Sequence, residues 1–129
     1  VKRLSVASYQ YQPYELDHLK IFVAETEKKQ IAGVLALETA NPSDLPEGKS
    51  GLLLHGLYVN PLFQKQGVGR TLIEFSMLQV TQNHCHGLLV KAQPDANRYF
   101  QMQGFENLPV TQPEKEYAHR WWKPFSTNL

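Results

Sequence analysis

A mixed α/β sheet, antiparallel where the chain begins and parallel at its centre, with helices on both faces, follows from three features of this sequence. Two apolar runs, Ile21-Phe22-Val23-Ala24 and Ile31 to Leu37, flank the polar segment Glu25 to Gln30, a hairpin signal with charged residues at its tip. Leu52 to Val59 is a nearly continuous apolar run of strand length, as expected of a strand covered on both faces. An amphipathic pattern from Gly69 and a further apolar run, Leu88 to Ala92, then complete a strand–helix–strand unit, which is normally parallel and right-handed.

The elements follow in order. Within residues 1–20, which assign poorly, Leu4, Val6 and Tyr9 alternate like a short strand, and Pro13 to Asp17 reads as a helical turn starting at the proline. Ala40 to Gly51 carries two prolines and two glycines with Asn41, Ser43 and Asp44, so it is a turn-rich loop leading into the central strand. In that strand Gly56 marks a bulge or a place where a backbone or ligand comes close. Asn60-Pro61 ends it. Leu72, Ile73, Met77 and Val80 then repeat at helical spacing, and the helix should end near His84 with Gly87 close to the cap. Pro94-Asp95-Ala96 opens a short helix through Gln103 that Gly104 ends, and Tyr117 to Phe125 reads as one last strand.

A length of 129 residues fits one domain, 1–129, with a real core. Hydrophobic residues at 42% and charged residues at 19% give a globular balance, and a net charge of +1 supplies no general attraction to nucleic acid or membrane, so neither is an expected partner. The single cysteine, Cys85, excludes an internal disulfide framework and fits a reducing, cytoplasmic compartment. No apolar run approaches the roughly 20 residues of a membrane-spanning helix, and no signal-peptide pattern opens the chain. The chain starts at Val1 rather than methionine, which leaves processing or membership of something longer as an expectation.

Between the central strand and the helix lie Gln64, Gly67 and Gly69 in the spacing Q-x-x-G-x-G, followed by Arg70 and Thr71. Glycines allow a ligand close to the backbone, and free N–H groups at a helix start favour an anion such as a pyrophosphate. A dinucleotide-binding turn requires a third glycine where Leu72 stands. A P-loop reading of Gly48-Lys49-Ser50 fails because Ser43 occupies the place of its first glycine and a strand follows.

Leu57-Tyr58-Val59-Asn60-Pro61 followed by Gln64-Lys65-Gln66-Gly67-Val68-Gly69-Arg70 resembles the acyl-CoA-binding motif of the GNAT superfamily of N-acyltransferases, [RQ]-x-x-G-x-[GA] after a Leu-x-Val-x-Pro strand end. Tyr99 to Phe105 is similar to that family's second landmark, an aromatic helix ending in Gly-Phe, and the resemblance covers roughly Ile21 to Phe125. It implies the GNAT fold, and acetyl-CoA as co-substrate with no metal. The backbone from Gln64 through Lys65, Gln66, Gly67, Val68 and Gly69 to Arg70 and Thr71 would grip the pyrophosphate. The pantetheine arm would lie along Leu57, Tyr58 and Val59 beside Gly56, with Asn97 and Phe100 at the thioester end. The implied reaction is direct attack by a primary amine of a small molecule or peptide in a ternary complex.

That reaction must take a proton from an ammonium whose pKa is about 10.4 and release a thiolate whose parent pKa is about 8.5. The oxyanion formed between needs a donor, and the Val59 N–H is the candidate. His55 is the first candidate for the base, with Glu25 and Glu38 at neighbouring strand ends as weaker ones. The catalytic glutamate of histone-type relatives has no match, since Leu53 stands in its place. Where many relatives have a tyrosine five residues before the Phe of Gly-Phe, this chain has Phe100, with Tyr99 just before it as the substitute proton donor. These two departures keep a non-catalytic acyl-CoA sensor, or a plain interaction domain, open as alternatives.

The remaining motifs have plain readings. His84-Cys85-His86 cannot readily converge on one metal ion. Arg120-Trp121-Trp122-Lys123 is explained by strand alternation and core packing rather than by nucleic-acid stacking, with a homodimer contact as a further use for the aromatic surplus. The family usually places a strand and two helices before the first hairpin to shape the acceptor pocket, and residues 1–20 are too few for them.

Overall fold

The computed structural model describes residues 4–8 and 18–125. Along the chain come β1 (Ser5–Ser8), β2 (Lys20–Glu25), β3 (Ile31–Thr39), β4 (Gly51–Val59), α1 (Val68–Gln82), β5 (Gly87–Lys91), α2 (Asn97–Met102), β6 (Glu106–Asn107) and β7 (Arg120–Pro124). The seven strands form one mixed sheet in the order β1-β2-β3-β4-β5-β7-β6. β2 pairs antiparallel with β1 and β3, and β5 runs parallel to β4 through Gly51↔Gly87, Leu52↔Leu88 and Leu53↔Leu89. The hairpin and the parallel strand–helix–strand unit are thus as the apolar runs predict. The expected helical turn at Pro13 to Asp17, and Tyr9, lie outside the described residues.

Two backbone hydrogen bonds show that β4 carries one residue more than β3. Ala40 N–H donates to the Gly51 carbonyl at 2.9 Å, and Asn60 N–H donates to the Ala32 carbonyl at 2.8 Å. Between these bonds β3 advances eight residues, 32 to 40, and β4 nine, 51 to 60. A one-residue excess on one strand of an antiparallel pair is a β-bulge, which bends the strand and re-aims its side chains.

Contacts group the chain into two compact units, Val1–Glu38 with Leu54–Leu78, and Thr39–Leu53 with Gln79–Leu129. In the first, Phe22, Ala24, Ala32, Leu35 and Leu37 are buried together with Val68, Leu72 and Ile73 of α1. The Phe22 and Phe75 rings meet edge to face at 4.8 Å. The helix comes so close to β3 that a Cβ on Gly33 would lie 2.7 Å from the Tyr58 carbonyl oxygen and 2.9 Å from a Leu72 methyl. On the buried stripe of α1, Ser76 is fully buried but satisfied, its hydroxyl donating to the Leu72 carbonyl at 2.9 Å.

α1 ends near His84 as expected, but its cap is not the glycine. Cys85 N–H donates to the Val80 carbonyl and His84 N–H to the Thr81 carbonyl, the paired bonds of a Schellman cap, with His84 itself left-handed at φ 56°. Gly87 is not the cap; it opens β5, where a Cβ would lie 2.6 Å from the Trp122 ring and 2.7 Å from the Lys123 carbonyl oxygen. In this second unit Trp122 packs with Ala40, Leu45 and Leu89. Trp121 and Trp122 are both buried, so the tryptophan pair serves packing. The last strand is shorter than expected, and β6, too short to show in the sequence pattern, pairs with it through Glu106↔Trp122 and Asn107↔Trp121. Among the described residues no helix is long and apolar enough to cross a membrane.

A left-handed backbone costs an L-residue about 1–2 kcal/mol that glycine does not incur, against roughly 0.5–1 kcal/mol of extra chain entropy for glycine. His84→Gly should therefore raise stability by about 0.5–1 kcal/mol and the melting temperature by a few degrees. Calorimetric melting of both proteins checks this, and an unchanged or lower midpoint would contradict the strain.

Candidate functional site

The junction from β4 to α1 is built by Asn60. Its side-chain oxygen accepts from Leu62 N–H at 3.0 Å, its amide donates to the Ile31 carbonyl at 2.8 Å, and a 3₁₀ turn, Pro61–Phe63, follows. Gln64, Lys65, Gln66 and Gly67 are then exposed, with Lys65 at φ 63° and Gly67 at φ 81°. Alternating handedness of this kind turns successive N–H groups to one side and forms an anion-binding concavity. The hydrogen bonding of α1 starts with Thr71 N–H donating to the Gly67 carbonyl at 3.0 Å. By helix geometry the N–H groups of Val68, Gly69 and Arg70 have no partner within the helix and point out of its positive end, and no acidic residue occupies the first turn. Gly67 has open space around it, whereas Val68 and Gly69 are already on the buried face. Arg70 pairs with Glu74 through a 3.0 Å contact between two exposed side chains, a surface pair of little strength.

On β4, the stretch with the extra residue contains His55 and Gly56. His55 Nδ1 lies 2.7 Å from Glu38 Oε2 on β3, with the imidazole 55% exposed and the carboxylate side chain 20% exposed. Glu38, which the sequence offers as a weaker candidate for the base at a strand end, is therefore the immediate partner of the first candidate. A Cβ on Gly56 would meet only the Ala36 Cβ, at an ordinary 3.9 Å, so packing within the protein does not demand glycine there. Leu57 and Val59 are half-buried and the Tyr58 side chain is exposed. Glu25 ends β2 beside a register irregularity at Ala24/Glu25.

In the second unit, α2 presents Tyr99 and Phe100. The Phe100 ring is buried and stacks edge to face on Tyr99 at 5.2 Å and on Phe105 at 5.3 Å. Tyr99 is partly exposed, and burial pushes its hydroxyl above the ordinary tyrosine value, so it stays protonated at neutral pH. Asn97 uses both ends of its amide internally: the oxygen accepts from Trp121 Nε1 and the nitrogen approaches His119 Nδ1, both contacts at 2.9 Å. Lys123 closes α2, its ammonium donating to the Gln103 carbonyl at 2.6 Å. His86 is engaged by Ser50, whose N–H donates to Nδ1 at 2.9 Å. Among the described residues no three His, Cys, Asp or Glu side chains converge as for a metal ion.

The segment between β6 and β7 is held by a nearly buried Arg120. It donates to the carbonyls of Tyr117, Asp44 and Pro109 and to the Glu116 carboxylate. Glu116 in turn accepts from Gln112 N–H at 2.7 Å and from Thr111 N–H at 2.8 Å. Sequence reasoning misses this clamp and the Asn97 network, because both depend on partners distant in the chain that no local pattern encodes.

A model of the acetyltransferase (GNAT) domain matches residues 2–128. No curated protein matches the chain in sequence. Among solved structures, AtaTR bound with AcCoA is 19% identical with a TM-score of 0.65, covering 88% of this chain and 71% of that one. AtaT complexed with acetyl-methionyl-tRNAfMet is also 19% identical with a TM-score of 0.65, covering 87% and 74%. An acetyltransferase of the GNAT family from Staphylococcus aureus Mu50 is 10% identical with a TM-score of 0.69, covering 95% and 99%. At these identities the likeness is one of fold.

The Glu116 clamp gives a pH dependence. The backbone N–H of Gln112 first, then that of Thr111, with smaller help from the Thr111 hydroxyl and Arg120, hold the Glu116 carboxyl below its ordinary value, while burial opposes them. A depressed folded-state value means that the contribution is complete above the unfolded value of 4.5 and lost as pH falls through the folded one. The wild type should melt above Glu116→Gln at neutral pH, and the gap should shrink as pH falls below 4.5. Melting curves across that range check it; a gap independent of pH would remove the charge from the account.

Proposed function

The chain belongs to the GNAT acetyltransferase family, and from that premise we propose that it transfers an acetyl group from acetyl-CoA to a primary amine by direct attack, without a covalent enzyme intermediate. The observation that carries this reading is the exposed loop in front of α1, where left-handed Lys65 and Gly67 turn backbone donors toward one side at a helix start. The segment Gln64 to Thr71 would hold the pyrophosphate. Leu57, Tyr58 and Val59 would hold the pantetheine arm through their backbone, beside a glycine the protein's own packing does not require. Acetyl-CoA would supply the activated thioester, and His55 would take the proton from the acceptor ammonium through its exposed ring.

The acceptor is an amine of a small molecule or peptide. A net charge of +1 gives no broad surface for a polyanion. Since AtaT is complexed with acetyl-methionyl-tRNAfMet, an aminoacyl-tRNA nevertheless belongs in the acceptor panel beside polyamines, amino acids, lysine and peptide N-termini.

Calorimetry with acetyl-CoA and CoA, followed by thiol release against that panel, tests the reading. Micromolar binding and turnover on at least one amine are expected. Binding without turnover would support an acyl-CoA sensor instead, and absence of binding would overturn both. Gly56→Ala should melt like the wild type yet bind acetyl-CoA about tenfold more weakly, a loss of about 1.4 kcal/mol. His55→Ala should lower kcat by about a hundredfold or more while leaving acetyl-CoA affinity nearly unchanged.

A further inference from the structure

Glu38 and His55 stand on adjacent strands, and their contact is short, specific in its atoms and unequal in burial. A carboxylate is an acceptor only, so the 2.7 Å approach of Glu38 Oε2 to His55 Nδ1 requires the hydrogen of the neutral imidazole to sit on Nδ1. The lone pair is then on Nε2, at the far edge of a ring that is 55% exposed. The carboxylate side chain is only 20% exposed, so its bond to the ring stands in for much of the water it gives up. Exposed ion pairs contribute little to stability, and His55 lies in the span, Gly51 to Asn60, over which β4 carries one residue more than β3. The arrangement adds little to stability and orients one imidazole edge.

We propose that Glu38 is the positioning residue of the acetyl transfer: it fixes His55 as the Nδ1–H tautomer with Nε2 open to the acceptor, and its charge favours an acceptor that arrives as an ammonium. This rests on the reading of His55 as the base. With neutral His55 the dyad carries one negative charge; uptake of a proton makes it a neutral ion pair, so the dyad both attracts the cation and is relieved by taking its proton. The steps balance. One N–H proton of the ammonium moves to Nε2. The freed amine pair forms the C–N bond to the acetyl carbonyl carbon, and the C–S bond breaks with its electron pair on sulfur. A second N–H proton leaves the nitrogen and neutralises that thiolate, so the products are the amide, the CoA thiol and one proton released when His55 resets. The acceptor class that follows is an alkyl amine cationic at neutral pH, in preference to an aromatic amine.

The test joins a spectroscopic readout on the protein alone to kinetics. With ¹⁵N-histidine labelling, the neutral His55 ring should show the Nδ1–H pattern in the wild type and in Glu38→Gln, whose amide oxygen still accepts, and a tautomer mixture in Glu38→Ala. Thiol release from acetyl-CoA, with the panel amine that His55→Ala slows, should show kcat lowered about tenfold or more by Glu38→Ala. Acetyl-CoA affinity should not change, and Glu38→Ala in the His55→Ala background should cost nothing further. Glu38→Gln, the isosteric change, should raise KM for that amine and serves if Glu38→Ala does not fold. An unaltered tautomer and rate in the Glu38 variants, with His55→Ala still slow, would overturn the proposal and leave the base assignment standing. Full turnover by His55→Ala would overturn the base assignment and the role of Glu38 with it.

Discussion

The joint between β4 and α1 is the constraint on which the candidate site depends. Gly33 has no side chain because the Tyr58 carbonyl and the Val68 and Leu72 side chains already occupy the space, all within 3.0 Å of where its Cβ would be. Asn60 ties the same joint back to β3 with its own N–H and its side-chain amide. Only with both ends fixed does the short segment Gln64 to Gly67 have a defined shape, because Lys65 and Gly67 adopt left-handed angles that an untethered loop would not keep. A concavity of backbone donors is useful only if rigid: N–H groups that must reorganise around an anion lose much of their advantage to the ordering cost.

How much of this is legible in the sequence depends on the range of the interaction. The hairpin, the central strand, α1 and the loop glycines show themselves through local periodicity and turn chemistry, and the structure has them within a residue or two. The cap of α1 is misleading in sequence because a glycine, Gly87, stands nearby as the usual left-handed residue, whereas the Schellman bonds require that conformation at His84 and close packing on Trp122 needs Gly87 elsewhere. β6 escapes notice because two residues carry no period. Gly56 is legible as an anomaly and the extra residue in β4 accounts for part of it, although only the count of hydrogen-bonded steps on both strands shows that excess.

Glu38 illustrates the harder limit. In sequence it is a charged residue at the end of an apolar strand, and solvation is the ordinary fate of such a group. Its partner lies 17 positions later on another strand. Which residue faces which across β3 and β4 is set by the register, and a one-residue excess shifts that register in the stretch concerned. Asn97 shows the same limit from the other side: it lies in the aromatic helix that the family resemblance singles out, and its amide is bonded to Trp121 and His119, 24 and 22 positions later, partners that no local pattern encodes.

The chemistry assigned to the chain is consistent with where its unusual features lie. Of the two proton problems in acyl transfer to an amine, the ammonium is the harder, since its pKa of about 10.4 stands further above neutrality than the roughly 8.5 of a thiol. A departing thiolate can leave unassisted at modest cost, whereas a protonated amine cannot attack at all. On the family resemblance, a phenylalanine in place of the tyrosine hydroxyl would weaken only the less demanding half of the reaction. The carboxylate–imidazole pair would serve the more demanding half, and it lies in the span where β4 carries one residue more than β3. Within the first unit the charges also divide by role. On the proposed reading, backbone donors and Lys65 at the start of α1 would meet the diphosphate of the donor, and the Glu38–His55 pair would meet a cationic acceptor. A site of mixed sign in one small unit would separate donor from acceptor by charge before either is recognised by shape.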